Sequence, residues 1–132
     1  MLDRAAVLKT IDEAYDARRR GDKAALAGYW APDAVFRIGG GLPALAAFSK
    51  AKGSAKGVVD EMIDLVTFHE LHREEALVDG LKAAVRWRVV LSAKGGERAE
   101  TELYDLFEFD TDGKVASLVQ FGDTALIAKL LA

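Results

Sequence analysis

Apolar residues recur every three to four positions near the start of the chain and every second position near its end. The first period predicts a helix and the second predicts strands. Val7/Leu8, Ile11 and Ala14/Tyr15 form one helical stripe, with Asp3 placed to cap its start and Gly21 following its end. Arg18, Arg19 and Arg20 fall in its last turn, where cations oppose the negative end of the helix dipole. Asp22 caps a second short helix, Lys23 to about Tyr29, which Pro32 and Asp33 close. Ala34–Ile38 reads as a short strand ended by Gly39-Gly40-Gly41. Pro43 suits the first turn of another short helix reaching about Lys52, and Gly53–Gly57 reads as a mobile loop. Four strand-like segments follow: Val58–Leu71, Ala76–Ala93, Ala99–Asp110 and Lys114–Gly122. Asp123 then caps a last helix, Thr124–Leu131. Helices segregated from a run of antiparallel strands mean an α+β fold, in one domain spanning residues 1–132.

One residue breaks this pattern. In Thr101–Phe109 one strand face reads Leu103, Asp105, Phe107, Phe109, and the glutamates occupy the other. A carboxylate held among apolar side chains keeps its proton or requires a partner, which makes Asp105 a candidate site residue. Two turns set the register around it. A two-residue loop at Asp112-Gly113 pairs Phe109 with Ala116, Phe107 with Leu118 and Asp105 with Gln120. A three-residue loop at Lys94-Gly95-Gly96 sets Trp87 opposite Leu103, Val85 opposite Asp105 and Arg88 opposite Glu102. Asp105 and Gln120 therefore share an otherwise apolar inner face. Tyr104, Leu106, Val119 and Phe121 fall on the outer face, a patch that suits a homodimer interface.

Composition narrows the classes. The formal net charge is −3, so no basic field exists to gather nucleic acid or anionic lipid. The absence of cysteine excludes disulfides and thiolate chemistry. Met1-Leu2-Asp3-Arg4 leads into an amphipathic stretch rather than a leader, and no apolar run spans a bilayer, so a cytoplasmic protein is expected. His69 and His72 cannot chelate one metal from a single strand, because a spacing of three puts them on opposite faces. His69 faces inward if Ile63, Leu65 and Leu71 do, and is then a candidate general base. The opposite phase, with Val66 and Phe68 inward, fits equally well. No metal-ligand cluster, nucleophile elbow or nucleotide-binding glycine pattern is present, so neither metal nor cofactor is expected.

Gly21-Asp22, Trp30-Ala31-Pro32-Asp33-Ala34-Val35-Phe36 and Phe109-Asp110 with Asp112-Gly113-Lys114-Val115 follow one another in a familiar order. In that order the chain resembles the SnoaL-like and ketosteroid-isomerase-like superfamily over almost its whole length. The resemblance implies the nuclear transport factor 2-like fold, a curved sheet wrapped around N-terminal helices to form a conical pocket. Asp105 falls where ketosteroid isomerases keep a neutral aspartic acid for the oxyanion hole. That family's general base, another aspartate, aligns with Ile38, and its oxyanion-hole tyrosine aligns with Ala14 or, after a one-residue shift, Tyr15.

Two functions follow as expectations. One is a cofactor-free isomerase, cyclase or hydratase acting on an apolar carbonyl compound. In it Asp105 is acid or oxyanion donor, Gln120 orients it, and His69 or Tyr15 completes the acid–base pair. Trp87, Trp30, Leu103, Phe107, Leu118 and Ile38 are the expected lining. The other is a non-catalytic dimeric module that binds a small hydrophobic ligand through the same residues.

Overall fold

The computed structural model describes residues 3–40 and 54–132. The short helix expected from Pro43 to Lys52 lies outside the described residues. Helix α1 (Arg4–Arg20) starts where the Asp3 carboxylate accepts from Ala6 N at 2.8 Å. It ends at Gly21, whose φ of 70° lets Asp22 N reach back to Ala17 O at 2.9 Å. Asp22 caps α2 (Lys23–Ala27), which stops two residues short of Tyr29. Strand β1 (Trp30–Ile38) then starts four residues before the expected Ala34. Pro32 does not break it, because β1 lies at the sheet edge, where a missing N–H leaves no neighbour unpaired.

The segment expected as one strand, Val58–Leu71, is two elements. Ser54 accepts from Gly57 N at 3.3 Å and caps α3 (Ala55–Leu65), so most of the expected loop is a first helical turn. Val58, Val59, Met62 and Ile63 are buried, a stripe with helical rather than alternating spacing. Strand β2 (Val66–Asp79) follows directly and turns through Gly80-Leu81 into β3 (Lys82–Ala93). The break expected around His72–Glu75 is absent: those charged residues are the solvated part of β2. The real turn is the two-residue loop Gly80-Leu81, with Gly80 at φ 59° between the paired Asp79 and Lys82.

Strands β4 (Ala99–Phe109) and β5 (Val115–Gly122) complete the sheet, in the order β1-β5-β4-β3-β2. All neighbours are antiparallel except β1 and β5, which run parallel. The expected pairs Trp87–Leu103, Val85–Asp105, Phe107–Leu118 and Asp105–Gln120 all form. Near the last turn the register slips by one: a bulge after Glu108 sets Phe109 opposite Val115, not Ala116. Asp110 causes it, since its carboxylate accepts from Asp112 N and Lys114 N and widens the loop beyond two residues. On the outer face Arg88 sits opposite Glu102 but bonds Glu74 and Glu100, while Arg86 bonds Glu75 and Glu102.

The sheet curves without closing, and α1 and α3 lie in its concavity. Asp123 caps α4 (Thr124–Leu131) as expected. Core residues come from both layers: Val7, Ile11 and Ala17 of α1 meet Val85, Val89 and Leu91 of β3 within one buried cluster. Among the described residues no helix is long and apolar enough to cross a membrane.

Candidate functional site

Asp105 sits at the centre of the inner face and is wholly inaccessible to solvent. Three donors converge on it. Tyr15 of α1 donates its hydroxyl to Oδ2, Trp87 Nε1 of β3 donates to the same oxygen at 3.1 Å, and Gln120 Nε2 of β5 donates to Oδ1 at 3.0 Å. Gln120 Nε2 also donates to Tyr15 Oη at 2.9 Å, which closes the network. The Tyr15 ring is packed on Trp87 with centroids 4.3 Å apart. Burial pushes the Asp105 carboxyl up to about 7, and the bonds from Tyr15, Gln120 and Trp87 pull against that rise. Burial and the adjacent Asp105 carboxyl hold the Tyr15 phenol well above its ordinary value.

Two small cavities adjoin this network. The first is lined by Tyr15, Arg18, Trp30, Phe36, Phe107 and Leu118, among others, and the second by Ile38, Leu103, Thr124 and Ile127 with their neighbours. Met62, Phe68 and Gln120 belong to both walls. Each has a volume of about 40 Å³, enough for water but not for a drug-sized ligand. Asp105 itself is on neither wall; Tyr15 and Gln120 stand in front of it. On the opposite side Tyr15 and Trp87 line an open polar groove with Asp12, Asp16, Arg19 and Arg73.

His69 is not brought to this network. Its Nε2 pairs with Ser92 Oγ at 2.9 Å, and it lines neither cavity. The cause is a register shift between Phe68 and Glu70. Phe68 pairs with Leu91 before the bulge and Leu71 with Val89 after it, and His69 sits at the change. The phase with Val66 and Phe68 inward holds up to the bulge, whereas Ile63 and Leu65, on which the other phase rested, belong to α3. His72 lies opposite Arg88 on the exposed face.

Arg18 was not singled out by periodicity, yet it is buried at 5% exposure on the first cavity. Its Nη2 donates to Val66 O at 2.8 Å and Met62 O at 3.3 Å, on either side of the junction between α3 and β2. Its guanidinium carbon lies 4.0 Å from the Phe68 ring centroid. Burial lowers its pKa to about 10, which still leaves it charged at neutral pH. The signal was present: Val7, Ile11, Ala14 and Arg18 continue one stripe at helical spacing.

A family model described as a SnoaL-like domain matches residues 11–118, which include Tyr15, Arg18 and Asp105. The chain belongs to the SnoaL-like family. Solved structures carry the same fold at low identity. An NTF2-like protein of unknown function from Burkholderia pseudomallei aligns at TM-score 0.75 and 17% identity, over 96% of this chain and 98% of that one. An epoxide hydrolase of M. tuberculosis aligns at 0.73 and 18%, over 96% and 90%. TerC, co-crystallised with polyporic acid, aligns at 0.73 and 16%, over 96% and 98%. No sequence match is found among curated proteins. Among the described residues of this SnoaL-like domain, no group of three or more His, Cys, Asp and Glu side chains is placed to hold a metal ion.

Proposed function

We propose that this SnoaL-like domain is a cofactor-free isomerase, cyclase or hydratase for an apolar carbonyl compound, with Tyr15 facing the substrate and Asp105 behind it. The observation that carries this reading is the buried Tyr15–Asp105 hydrogen bond, with the phenol on a cavity wall and the carboxyl sealed away from it. A protonated Asp105 can donate to Tyr15 Oη, which frees the phenol proton to turn toward a substrate oxygen. As negative charge grows on that oxygen the phenol bond strengthens, and Gln120 holds the pair in line. The described lining of the two cavities contains no Asp, Glu or His, and by the resemblance to ketosteroid isomerases Ile38 aligns with their general base. The chemistry asked of the site is therefore electrophilic, with water accepting any proton the substrate loses. A ligand of benzene size or larger needs Met62 and Phe68 to swing and merge the cavities, a movement methionine permits readily.

Acetophenone and cumene, alike in shape but differing in the carbonyl, test this reading by calorimetry. Wild type should bind the ketone about tenfold more tightly at about pH 6, and Tyr15→Phe should lose that preference. The preference should also fade above about pH 8, where ionised Asp105 keeps the phenol proton to itself. Exchange of the acetophenone methyl protons in heavy water reads catalysis, and Tyr15→Phe should slow it by roughly 10²-fold. Equal affinities in wild type at the lower pH remove the reading.

A binding module for a small hydrophobic ligand is the second reading, favoured because both Asp105 oxygens already accept bonds from protein donors. Ketone binding with no accelerated exchange identifies it. In either case we propose a homodimer through the outer face of β1, β5 and β4, where Val35, Phe121, Tyr104 and Leu106 are all exposed. Sedimentation should show wild type at twice the monomer mass and Leu106→Glu as monomer; a monomeric wild type rules the interface out.

A further inference from the structure

Arg18 is a buried cation without a buried anion. Among the described residues no carboxylate lies within salt-bridge distance of it, and residues 41–53 contain no Asp or Glu. Its hydrogen bonds come from Nη2 alone, so Nε and Nη1 donate to none of the described residues. The carbonyls it meets are neutral dipoles: Met62 O, in the last turn of α3, which already accepts from Val66 N, and Val66 O, at the start of β2. Two carbonyl dipoles and the face of the Phe68 ring are all that meet this charge among the described residues, in a mostly apolar wall where charges are ordinarily paired with an anion. A second donor points the same way: Trp30 Nε1 is buried with no partner, and Trp30 lines the same cavity. The rest of that lining is apolar apart from the Tyr15, Tyr29 and Gln120 side chains.

We propose that Arg18 and Trp30 form an anion-binding end of the first cavity, and that the ligand is an apolar carboxylate. Its carboxylate pairs with the unused nitrogens of Arg18 and accepts from Trp30 Nε1, while its apolar body lies against Phe36, Phe107 and Leu118. This rests on the reading that the cavity is the ligand site, and it narrows the substrate from a carbonyl compound to one that also carries an acid group. A neutral analogue can still accept from Trp30 Nε1 but cannot pair with the Arg18 charge, so the site should discriminate against it.

Benzoate and benzamide, close in shape and differing in charge, are the probes. By calorimetry wild type should prefer benzoate by about tenfold or more, Arg18→Met should abolish the preference, Arg18→Lys should retain part of it, and Trp30→Phe should reduce it severalfold. If Arg18→Met does not fold, the ¹⁵N resonance of Arg18 Nε in wild type still decides: benzoate should shift it and benzamide should not. Equal affinities, no benzoate binding at millimolar concentration, or an unmoved Arg18 resonance each overturn the proposal. The acetophenone comparison interrogates Tyr15 and depends on pH near 7, whereas Arg18 stays charged throughout, so either reading can fail while the other stands.

Discussion

Between about pH 4 and pH 7 the wild-type domain should lose roughly 4 kcal/mol of unfolding free energy relative to Asp105→Asn. The sign follows from the direction of the shift. An unfolded aspartate releases its proton near 3.8, whereas buried Asp105 keeps it until about 7. Between those values the native state binds the extra proton, so raising the pH pulls the equilibrium toward the unfolded chain. Each pH unit in that window removes about 1.4 kcal/mol, and the loss levels off above pH 7. Asparagine does not titrate, and the Gln120 amide and Tyr15 hydroxyl can turn to meet it, so the substituted protein should lack this slope. Asp16 and Asp64 act in the opposite sense, since their ion pairs lower their pKa values, and what they contribute is lost only at lower pH. Urea titrations of both proteins at several pH values give the difference directly. A difference that stays flat from pH 4 to 7 would mean that water reaches Asp105.

That slope depends on a placement the sequence announced through a broken alternation and two turns. Pairing Asp105 with Gln120 needed only the register, because side-chain direction in a strand follows from counting. The same counting failed where the backbone leaves its period. The bulge after Glu108 moved Val115 into the core in place of Ala116, and the bulge at His69 removed the expected base from the site. Extra residues of that kind depend on local hydrogen bonding, as at Asp110, and a two-residue period carries no trace of them. Tyr15 was legible as a core tyrosine on the α1 stripe, but its meeting with Asp105 joins residues ninety apart and depends on how α1 lies in the sheet. Arg18 was hidden by its neighbours. Three consecutive arginines suggest a solvated helix end, yet Arg19 and Arg20 bond Asp16 on the exposed face while Arg18 continues the buried stripe. Position on the helix, rather than residue type, separates them. Helix α3 differs from the expected strand because a run of Val, Ile and Leu supports a strand as readily as a buried helix. Only the Ser54 cap and the spacing of Val58, Val59, Met62 and Ile63 distinguish the two.

Trp87→Ala should destabilise the domain by about 3–5 kcal/mol near pH 4, and by far less near pH 8. Trp87 is 3% exposed, packs on Tyr15 and donates to Asp105, so its removal leaves a large hole and one lost bond at any pH. Its ring also stands between Asp105 and the open groove it shares with Tyr15 and Arg73. With the ring gone, water from that groove reaches the carboxyl and hydrates its ionised form. Asp105 then titrates closer to its ordinary value, and the ionisation penalty that wild type carries above pH 7 largely disappears. Three effects follow: a packing loss independent of pH, the loss of a Trp87 bond that favours ionised Asp105 and so costs more at high pH, and a larger relief of the buried charge as water enters, which also grows as pH rises. Denaturant titrations at pH 4 and pH 8 read the packing loss at the lower value and the balance of hydration against the lost bond in the difference between the two. A loss at pH 8 as large as that at pH 4, or larger, would show that the ring does not seal Asp105, and that the β-strands and Gln120 alone keep water out. A loss that shrinks with pH would assign Trp87 two roles, filling the core between α1 and the sheet and keeping the Asp105 proton in place at neutral pH.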